Sequence, residues 1–510
     1  MRPTLTTRAD FALACLSGAL YFLAFPPIDA GTFAFIALVP LLLALRGQTR
    51  LRAFLLGWTA GTLAIYALVA SSILEAASRF MPEHRWAVWA LALVIPQVYG
   101  ALYFGLFALW AREIQTRRRA PVFELLAISA AWTACELVRS RLGDGCPWLL
   151  LAHSQHLRLW MLQIADLGGA PAVSFVVALI NVALAMQIAG AASLPGRCRL
   201  QVIGTALAVL AAVLGYGEWQ LRHWSEPSAE GFRVALVQGN VPDEWRYSLG
   251  RLPETMRRLR DLTRQSTSFA PDLVIWPENA VSVSVADNDR LFSGLAGQLS
   301  PNARLLVGAP RAERGGNSRT LLHNSAYLLD ASGSPVEIYD KLRLTPFGEA
   351  LPVMIRELMG DASSAEGSYS PGKRFTLFDV AGHRFATVIC YEAIYAEIVR
   401  PFVRAGAEFL VNISNDGWFG AQPSLEQHFD AVLLRAVESR RFLLRATNAG
   451  ITAVIDPRGA IIAEAPRAQT SVLAATIHPS QAQTIYTRVG DTFGWLCLIA
   501  AGIFVAAARP

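Results

Sequence analysis

The chain has 510 residues, of which 53% are apolar and only 16% are charged, whereas ordinary soluble domains carry roughly 25% charge. This composition argues against a wholly soluble protein and indicates one embedded in a membrane. The formal charge of +6 is explained by arginines that flank apolar segments. No nucleic-acid-binding signature is visible, so the sequence predicts no nucleic-acid partner.

Apolar stretches dominate the first part of the chain and return at its end. Seven precede Glu218 and an eighth follows the polar half, and a helix needs about 20 apolar residues to cross a bilayer. The second and the eighth are short for a span. The sequence predicts a membrane bundle of about eight transmembrane helices, seven within residues 1–220 and one within 490–510, near 11–25, 32–45, 53–74, 86–111, 122–138, 168–188, 200–216 and 493–508.

Arginines concentrate in alternate loops between these stretches. They precede the first stretch and follow the second, the fourth and the sixth, and loops rich in arginine face the cytoplasm. The loop after the fifth stretch is an exception, because it holds Arg139, Arg141 and Arg158. The pattern predicts that both termini are cytoplasmic and that residues 231–486 lie on the outer side of the membrane.

Residues 231–486 differ in composition from the apolar stretches. Short β-rich runs alternate there with helical ones, a pattern typical of an α/β domain. Helices are predicted at 251–265, 287–299 and 427–444. Strands are predicted at 232–237, 272–276, 305–308, 325–329, 335–339, 384–390, 409–413, 451–455 and 460–462.

The six cysteines form no C-x-x-C pair and no cluster of the kind that binds a metal. Neither a metal nor another cofactor is therefore predicted. Five of the cysteines lie in or beside apolar stretches, where this residue is usually a small buried apolar side chain. Cys390 stands alone in the polar half of the chain.

Three reactive side chains stand at the ends of predicted strands. Glu278 follows the strand at 272–276, Lys341 follows the one at 335–339, and Cys390 ends the one at 384–390. Ligands bind where strands of α/β sheets end, so the three could act as base, electrophile and nucleophile. Each taken alone has an ordinary explanation, as an acidic cap, a solvated lysine or a buried thiol, and only the ordered trio is informative.

Residues 231–477 resemble the nitrilase superfamily, in which a Glu–Lys–Cys triad occurs in this chain order. The resemblance includes the segments 237–240 and 415–419. The whole chain resembles the apolipoprotein N-acyltransferase family. The features that carry this resemblance are the spans before and after this region and the segments 346–349 and 390–392. The resemblance implies a nitrilase-like α-β-β-α sandwich inserted into the membrane bundle.

The resemblance also implies substrates and a location. The acyl donor would be a phospholipid, and the acceptor would be the free α-amine of the diacylglyceryl-cysteine of an apolipoprotein. Membrane lipids would surround the enzyme in a bacterial cytoplasmic (inner) membrane, with the catalytic domain on the periplasmic side. Both substrates live in the outer leaflet, the side that the arginine pattern predicts independently.

The predicted chemistry is covalent catalysis in two steps. A thiol with a pKa of about 8.5 is mostly protonated at neutral pH, so Glu278 would take the proton of Cys390. Lys341, and the backbone N–H of Tyr391, would stabilise the oxyanion of the tetrahedral intermediate. A thioester on Cys390 would follow, and attack by the second substrate would complete a ping-pong cycle.

Supporting roles are predicted for further residues, each with a structural alternative. Glu349 and Glu392 could orient Lys341 or the attacking amine, or they could be structural carboxylates. Trp245 resembles a functional tryptophan of the family, or it is a partly exposed loop aromatic. Residues predicted to shape the pocket are Asn415, Asp416 and Trp418.

Three other functions remain open. A membrane-tethered amidase of the nitrilase type would transfer the acyl group to water. A transporter or scaffold would carry an inactive domain. A Cys–His protease would need a histidine beside Cys390, but His383 lies an odd number of residues away and so faces the opposite side of a shared strand, and His428 has no local signature.

Two features could serve lipid or membrane functions. The apolar segment 351–359 could dip into the bilayer and gate a lipid path, or it could pack against its own domain. Three carboxylates lie in or near the apolar stretches, where a charge is a functional candidate unless it sits at the interface: Glu124, Glu136 and Asp166.

Overall fold

The computed structural model describes residues 7–80, 90, 93–117, 120–190, 195–224, 231–246, 248–286, 288–296, 298–314, 320–346, 348–350, 369–419 and 423–506. The chain forms two compact units. The helical unit comprises Met1–His223, Ala421–Leu434 and Val489–Pro510. The sandwich unit comprises Trp224–Gly420 and Arg435–Arg488.

Helices build the first unit because its sequence is rich in alanine and leucine, which favour helix. They span Thr7–Leu23, Val39–Ala44, Arg50–Phe80, Leu102–Gln115, Pro121–Arg141, Leu159–Leu162, Ala165–Gly190, Gly196–His223 and Thr492–Ala506. Four described helices are long and apolar enough to cross a membrane: Arg50–Val69, Pro121–Arg141, Ala165–Ala189 and Gly196–His223. A membrane bundle is therefore supported, and the count of eight spans stays a prediction.

Two predicted spans differ from single regular helices. The stretch at 32–45 is a 3-10 turn, Gly31–Phe35, followed by the short helix Val39–Ala44, whose first turn contains Pro40. The stretch at 86–111 begins outside the described residues, and its described part passes through the π-helical turn Gln97–Ala101.

Two of the three carboxylates predicted near the membrane, Glu136 and Asp166, accept hydrogen bonds within the helical unit. Glu136 accepts hydrogen bonds from the indole N–H of Trp132 at 3.0 Å and from the Leu151 backbone at 2.8 Å. Asp166 accepts one from the Tyr216 hydroxyl at 2.8 Å. Buried carboxylates are tolerated only when they are bonded in this way, so a structural role accounts for both.

Two six-stranded sheets form the second unit. The strands are β1 Phe232–Gln238, β2 Leu273–Ile275, β3 Arg304–Arg314, β4 Thr320–Leu329, β5 Pro335–Asp340, β6 Leu377–Val380, β7 His383–Ile389, β8 Phe409–Ser414, β9 Leu443–Thr447, β10 Ala453–Ile455, β11 Ile461–Glu464 and β12 Ser471–Ile477. Their orders are β12-β1-β2-β3-β4-β5 and β11-β10-β9-β8-β7-β6.

The sheets pack face to face with helices outside them. Strands β1, β2 and β3 run parallel, as do β7, β8 and β9, and such strands are apolar because both of their faces are covered. Phe232 of the first sheet contacts Phe409 of the second, with ring centroids 5.2 Å apart. Leu252–Ser266 packs on β1 and Ala396–Arg404 packs on β7, which gives the predicted α-β-β-α layers.

The remaining described helices of the chain are Asp243–Arg246, Asp289–Ala296, Ser424–Ser439 and Ile485–Val489. The helix predicted at 427–444 is wrong at its C-terminal end, because it stops at Ser439 and β9 begins at Leu443. Arg440 has φ 52°, a left-handed conformation that ends a helix. The residues at this boundary, 438–441, are polar but include no glycine or proline, which is why the sequence did not mark it.

Candidate active site

Loops from both sheets bring the three predicted reactive residues together. Glu278 lies just after β2, Lys341 follows β5, and Cys390 follows β7. The Lys341 Nζ atom lies 3.2 Å from Glu278 Oε1, and the charges of both act on the Cys390 thiol. Their exposed fractions are 2% for Glu278, 0% for Lys341 and 2% for Cys390, so the group is sealed from bulk water.

Lys341 has two carboxylate partners rather than one. Its Nζ lies 2.7 Å from Glu349 Oε2 as well as near Glu278, and it donates to the Thr345 hydroxyl at 3.3 Å. Burial alone would lower the pKa of Lys341, but the two carboxylates hold it well above its usual value. The side chain is therefore a cation, and Glu349 is the nearer of its two carboxylate partners; the predicted role of Glu349 in orienting Lys341 stays a prediction.

Glu349 is held as an anion. Burial would raise its pKa, but the Lys341 ammonium outweighs burial and lowers it. The Thr345 backbone N–H also donates to Glu349 Oε2 at 2.7 Å. One cation, the Lys341 ammonium, therefore lies between two carboxylates, those of Glu278 and Glu349.

Asn324 on β4 is a site residue that the sequence analysis missed. Its side-chain Nδ2 donates to Glu278 Oε1 at 2.7 Å and to Glu349 Oε1 at 2.6 Å, and its backbone carbonyl accepts from the Lys341 N–H at 2.9 Å. It is fully buried. The only signal in the sequence is a polar residue at the start of the apolar run in β4.

The loop that carries Glu278 is fixed from two sides. The Asn415 backbone N–H donates to Glu278 Oε2 at 2.8 Å, so this predicted pocket residue orients the carboxylate. On the other side, Gly308 of β3 lets the loop pass closely. A Cβ atom at Gly308 would lie 2.4 Å from the Pro277 carbonyl oxygen and 2.7 Å from the Glu278 Cα, which no larger residue permits without a shift.

Cys390 begins a tight turn instead of ending a strand. Strand β7 stops at Ile389, and Cys390 has φ 53° at the start of the 3-10 turn Cys390–Ile394. Such left-handed geometry is uncommon for a residue with a side chain. It persists only where neighbouring contacts hold it, and it often marks functional sites.

Glu392 supplies much of that support. It accepts hydrogen bonds from the backbone N–H groups of Ile389 at 2.8 Å, Leu342 at 2.6 Å and Arg343 at 3.0 Å, and from the Tyr339 hydroxyl at 3.0 Å. It therefore ties the turn of the thiol to the segment after Lys341. Burial raises the pKa of Glu392 to about 7, against the hydrogen bonds that lower it.

The thiol itself is protonated at neutral pH. Burial raises the pKa of Cys390, and the negative charges of Glu278 and Asp416 raise it further. The Lys341 charge and a hydrogen bond with Ser414 act in the opposite direction without reversing the shift. A thiol in this state needs a neighbouring base before it can act as a nucleophile.

Comparisons with known proteins match both parts of the chain. Residues 233–486 match the carbon-nitrogen hydrolase family model, and residues 17–183 match that of the apolipoprotein N-acyltransferase N-terminal domain. The apolipoprotein N-acyltransferase of Geobacter metallireducens is 35% identical, covering 98% of this chain and 95% of the relative. That of Pseudomonas aeruginosa is 32% identical, covering 93% of this chain and 91% of the relative.

This chain belongs to the apolipoprotein N-acyltransferase family. Membership confirms the predicted resemblance and, with it, the predicted activity of an acyltransferase of the nitrilase superfamily. The apolipoprotein N-acyltransferase of Chlorobaculum tepidum is similar over a comparable length, at 31% identity with 98% of this chain and 97% of the relative covered.

The structure describes the surroundings of two further predicted site residues, Tyr391 and Trp245. Tyr391 is half-buried with its ring edge-on to Tyr395, centroids 5.1 Å apart. Trp245 is also half-buried, with the guanidinium groups of Arg251 and Arg258 each 5.3 Å from its ring. The Trp418 side chain and the predicted lipid-gating segment 351–359 lie outside the described residues.

The histidines of the protease hypothesis have other partners. His383 is the first residue of β7, and its Nδ1 lies 2.7 Å from Glu408 Oε2. His428 stacks on Trp148 within the helical unit, with centroids 5.7 Å apart. The structure thus gives a Cys–His pair with Cys390 no support.

One cluster in the helical unit has metal-binding residue types. The Nε2 atom of His156 lies 3.4 Å from Asp29 Oδ2 and 3.5 Å from Asp430 Oδ1. All three possible ligand atoms lie within 4.8 Å of one another, and zinc accepts this donor set. An ion-pair cluster accounts for the same geometry, and the mechanism proposed below does not use it.

The Glu392 carboxyl makes stability depend on pH. It keeps its proton up to about pH 7 in the folded chain, whereas an unfolded glutamate loses it at about 4.3. Between these values the folded state binds more protons, so the free energy of unfolding falls as pH rises, by on the order of 1 kcal/mol per unit at most, and the contribution is lost above about pH 7.

Thermal unfolding of the full-length chain from about pH 4.5 to about pH 8 measures this effect. The melting temperature of Glu392→Gln should decline less over this window than that of the unmodified chain. Glu337→Gln, which changes an exposed carboxylate on β5, should keep the full decline. Equal declines with and without Glu392 would contradict the assignment.

Proposed function

We propose that this chain moves a fatty acyl group from a phospholipid, through a thioester on Cys390, to the α-amine of the diacylglyceryl-cysteine of an apolipoprotein. The observation that carries the proposal is the sealed group of one ammonium, two carboxylates and one thiol. Relatives that carry the name apolipoprotein N-acyltransferase over nearly their full length support the choice of substrates.

In the first half-reaction, Glu278 takes the proton of the Cys390 thiol as the sulfur attacks the ester carbonyl carbon of the phospholipid. The carbonyl oxygen becomes an oxyanion, which Lys341 and the Tyr391 backbone N–H stabilise. The C–O bond then breaks, and Glu278 returns its proton to the leaving oxygen. The products are a lysophospholipid and an acyl thioester on Cys390.

In the second half-reaction, the lipoprotein amine attacks the thioester carbonyl carbon. Glu278 removes a proton from the attacking nitrogen, and Lys341 again stabilises the oxyanion. The C–S bond breaks, and the thiolate recovers its proton from Glu278. One residue thus serves as base and then as acid in each half, as microscopic reversibility requires.

Glu278 suits this role because Glu349 is the nearer carboxylate partner of the Lys341 ammonium. Glu349 lies 2.7 Å from the Lys341 ammonium and keeps that cation neutralised throughout the cycle. Glu278 lies farther away, at 3.2 Å, so a proton on it costs less attraction. Asn324 and the Asn415 N–H hold its two oxygens in place while its charge changes.

A phospholipid donor explains why the chain has apolar helices. An acyl donor is buried in lipid, and a soluble amidase would need no membrane bundle. We therefore place seven spans within residues 1–220, an eighth within 490–510, and residues 231–486 on the periplasmic side of a bacterial inner membrane. The arginine pattern and the apolar helices support this topology.

Transfer to water is the second candidate function, since a nitrilase-type thioester can also be hydrolysed. The family names of the relatives favour an amine acceptor. A transporter or scaffold with an inactive domain is disfavoured, because three reactive side chains at the ends of separate strands have no reason to share one buried site.

An acyl adduct on Cys390 is the first expected outcome. Mixing the full-length chain with phospholipid vesicles should add the mass of one fatty acyl group, located on the Cys390 peptide. Cys390→Ala should abolish the adduct. Glu278→Gln and Lys341→Met should slow its formation at least about a hundredfold, since each removes a proton acceptor or a charge that the transition state needs.

Matched changes at the surface provide the controls. Lys373→Met and Glu337→Gln alter exposed residues of the same unit and should form the adduct at the normal rate. A normal rate in Glu278→Gln or Lys341→Met would remove that residue from its role. An unmodified Cys390 after single-turnover mixing would count against the thioester.

The acceptor is identified by competition between amine and water. With phosphatidylethanolamine vesicles and a synthetic diacylated lipopeptide, the chain should produce an N-acylated peptide in amounts matching the lysophospholipid. The same peptide with its α-amine acetylated is the control and should stay unmodified. Fatty acid release without N-acylation would favour the amidase.

The topology is measured by cysteine labelling. In spheroplasts, a membrane-impermeant maleimide should label Ser332→Cys, in the turn after β4, without permeabilisation. Ala120→Cys, before the helix Pro121–Arg141, should react only after permeabilisation. Peptide mass spectrometry separates these sites from the native cysteines. The reverse pattern would place the sandwich unit in the cytoplasm and reject the proposed orientation.

A further inference from the structure

A second set of contacts reaches Cys390 from β8 and β9. Ser414, the last residue of β8, lies beside Cys390, because the residues before them, Ile413 and Ile389, are direct partners in the parallel ladder of β8 and β7. A hydrogen bond with Ser414 also lowers the pKa of the Cys390 thiol. Its hydroxyl donates to Asp416 Oδ1 at 2.7 Å. A serine hydroxyl has one proton to donate, so it cannot serve Asp416 and the sulfur at once.

Arg445 of β9 contacts Asp416 on the side away from Ser414, through the other carboxylate oxygen. Its Nη2 donates to Asp416 Oδ2 at 2.7 Å, and both side chains are fully buried. Its Nη1 donates to the Asn412 side-chain oxygen. Asn412 in turn donates to the backbone carbonyl of Cys390 at 3.3 Å and to that of Val388 at 3.1 Å.

Arg445 therefore acts on the nucleophile by two routes. One runs through Asp416 and Ser414 to the sulfur, and the other runs through Asn412 to the carbonyl of the strained residue Cys390. Neither route uses Glu278 or Lys341. The strands also make the arrangement rigid, since Asn412 and Arg445 are direct partners in the β8–β9 ladder.

We propose that Ser414 is a catalytic hydrogen-bond donor that turns its proton from Asp416 to the sulfur when Glu278 takes the thiol proton, and that Asp416 and Arg445 are its positioning residues. The inference rests on the proposed function in taking Cys390 as the nucleophile. In the resting site the thiol is neutral, and Ser414 donates to the Asp416 carboxylate.

The charge of Arg445 is what allows the exchange. Once the sulfur is negative, it competes with Asp416 for the serine proton. Asp416 is already neutralised by the Arg445 guanidinium, whereas the thiolate is a buried anion that needs donors. The hydroxyl therefore turns to the sulfur, and it turns back when the sulfur becomes a thioester and loses its charge.

The charged groups that act on Cys390 are Glu278, Lys341 and Asp416. Glu278 and Asp416 disfavour the thiolate, and Lys341 favours it. Loss of the Ser414 hydroxyl removes a favourable contact to the thiolate and leaves these three charges in place. Loss of this hydroxyl should therefore shift the midpoint of the Cys390 titration. A general loss of stability alone would not shift that midpoint.

The test is the pH dependence of alkylation of Cys390 by iodoacetamide in the full-length detergent-purified chain. The Cys390 peptide is followed by mass spectrometry, so the other cysteines do not contribute. Ser414→Ala should move the midpoint up by about one pH unit, with about tenfold slower alkylation below it. Ser414→Thr keeps a hydroxyl and should restore the original midpoint.

Two further variants separate this role from packing. Thr447→Val removes a buried hydroxyl from the β9 residue paired with Ser414, one that bonds to Thr452 at 3.0 Å, and should leave the midpoint unchanged. Asp416→Asn should move the midpoint down, because it removes a negative charge and weakens the competitor for the serine proton.

An unchanged midpoint in Ser414→Ala, or an equal upward shift in Thr447→Val, would overturn the proposal. An upward shift in Asp416→Asn would overturn the exchange between Asp416 and sulfur. Alkylation needs neither phospholipid nor lipopeptide. The expected shifts without any acyl adduct on Cys390 would therefore support the role of Ser414 and reject the proposed acyl transfer.

Discussion

The site depends on one fully buried ammonium held between two carboxylates. Removing a charge of this kind from water is costly, and only close partners with further hydrogen bonds offset the loss. Lys341 has Glu278 and Glu349 as those partners, and Asn324 bonds to both carboxylates. Loss of the ammonium would leave two buried carboxylates without a counter-charge, and breaking a buried pair in this way typically costs about 3–5 kcal/mol. The geometry of the site is therefore part of the stability of the sandwich unit.

Burial of the Cys390 thiol affects both the reactivity of the sulfur and the protection of a thioester from water. Cys390 is 2% exposed, and burial raises its pKa, so the resting sulfur is neutral and a weaker nucleophile than a thiolate. A thioester formed there is shielded from water, which an acyltransferase needs because hydrolysis competes with transfer. The same burial makes a base necessary, and it gives each hydrogen bond near the sulfur more weight than it would have in water.

Much of this organisation is visible in the sequence. Apolar stretches set the membrane-type half apart, and alternating short runs predict the α/β half. Glu278, Lys341 and Cys390 are recognisable because each follows an apolar strand in a set order. The helix predicted at 427–444 fails because the polar residues at 438–441, between the helix and β9, include no glycine or proline that would mark its end. Asn324 and Ser414 escape notice because a polar residue in a strand looks the same in the sequence whether it faces a core, a partner or a reactive atom.

The sequence by itself determined the division into an apolar and an α/β part, the family, and the candidate reactive residues, because composition, periodicity and chain order are local properties. Only the tertiary structure decided which side chains share one site. The pairing of Lys341 with Glu278, the hydrogen bond that Glu392 accepts from Leu342 and the contact of Arg445 with Asp416 join residues far apart in the chain. Such contacts arise when two sheets pack face to face. The burial of the charged groups and the distances between them then decide which group holds a proton, and no local sequence pattern encodes either quantity.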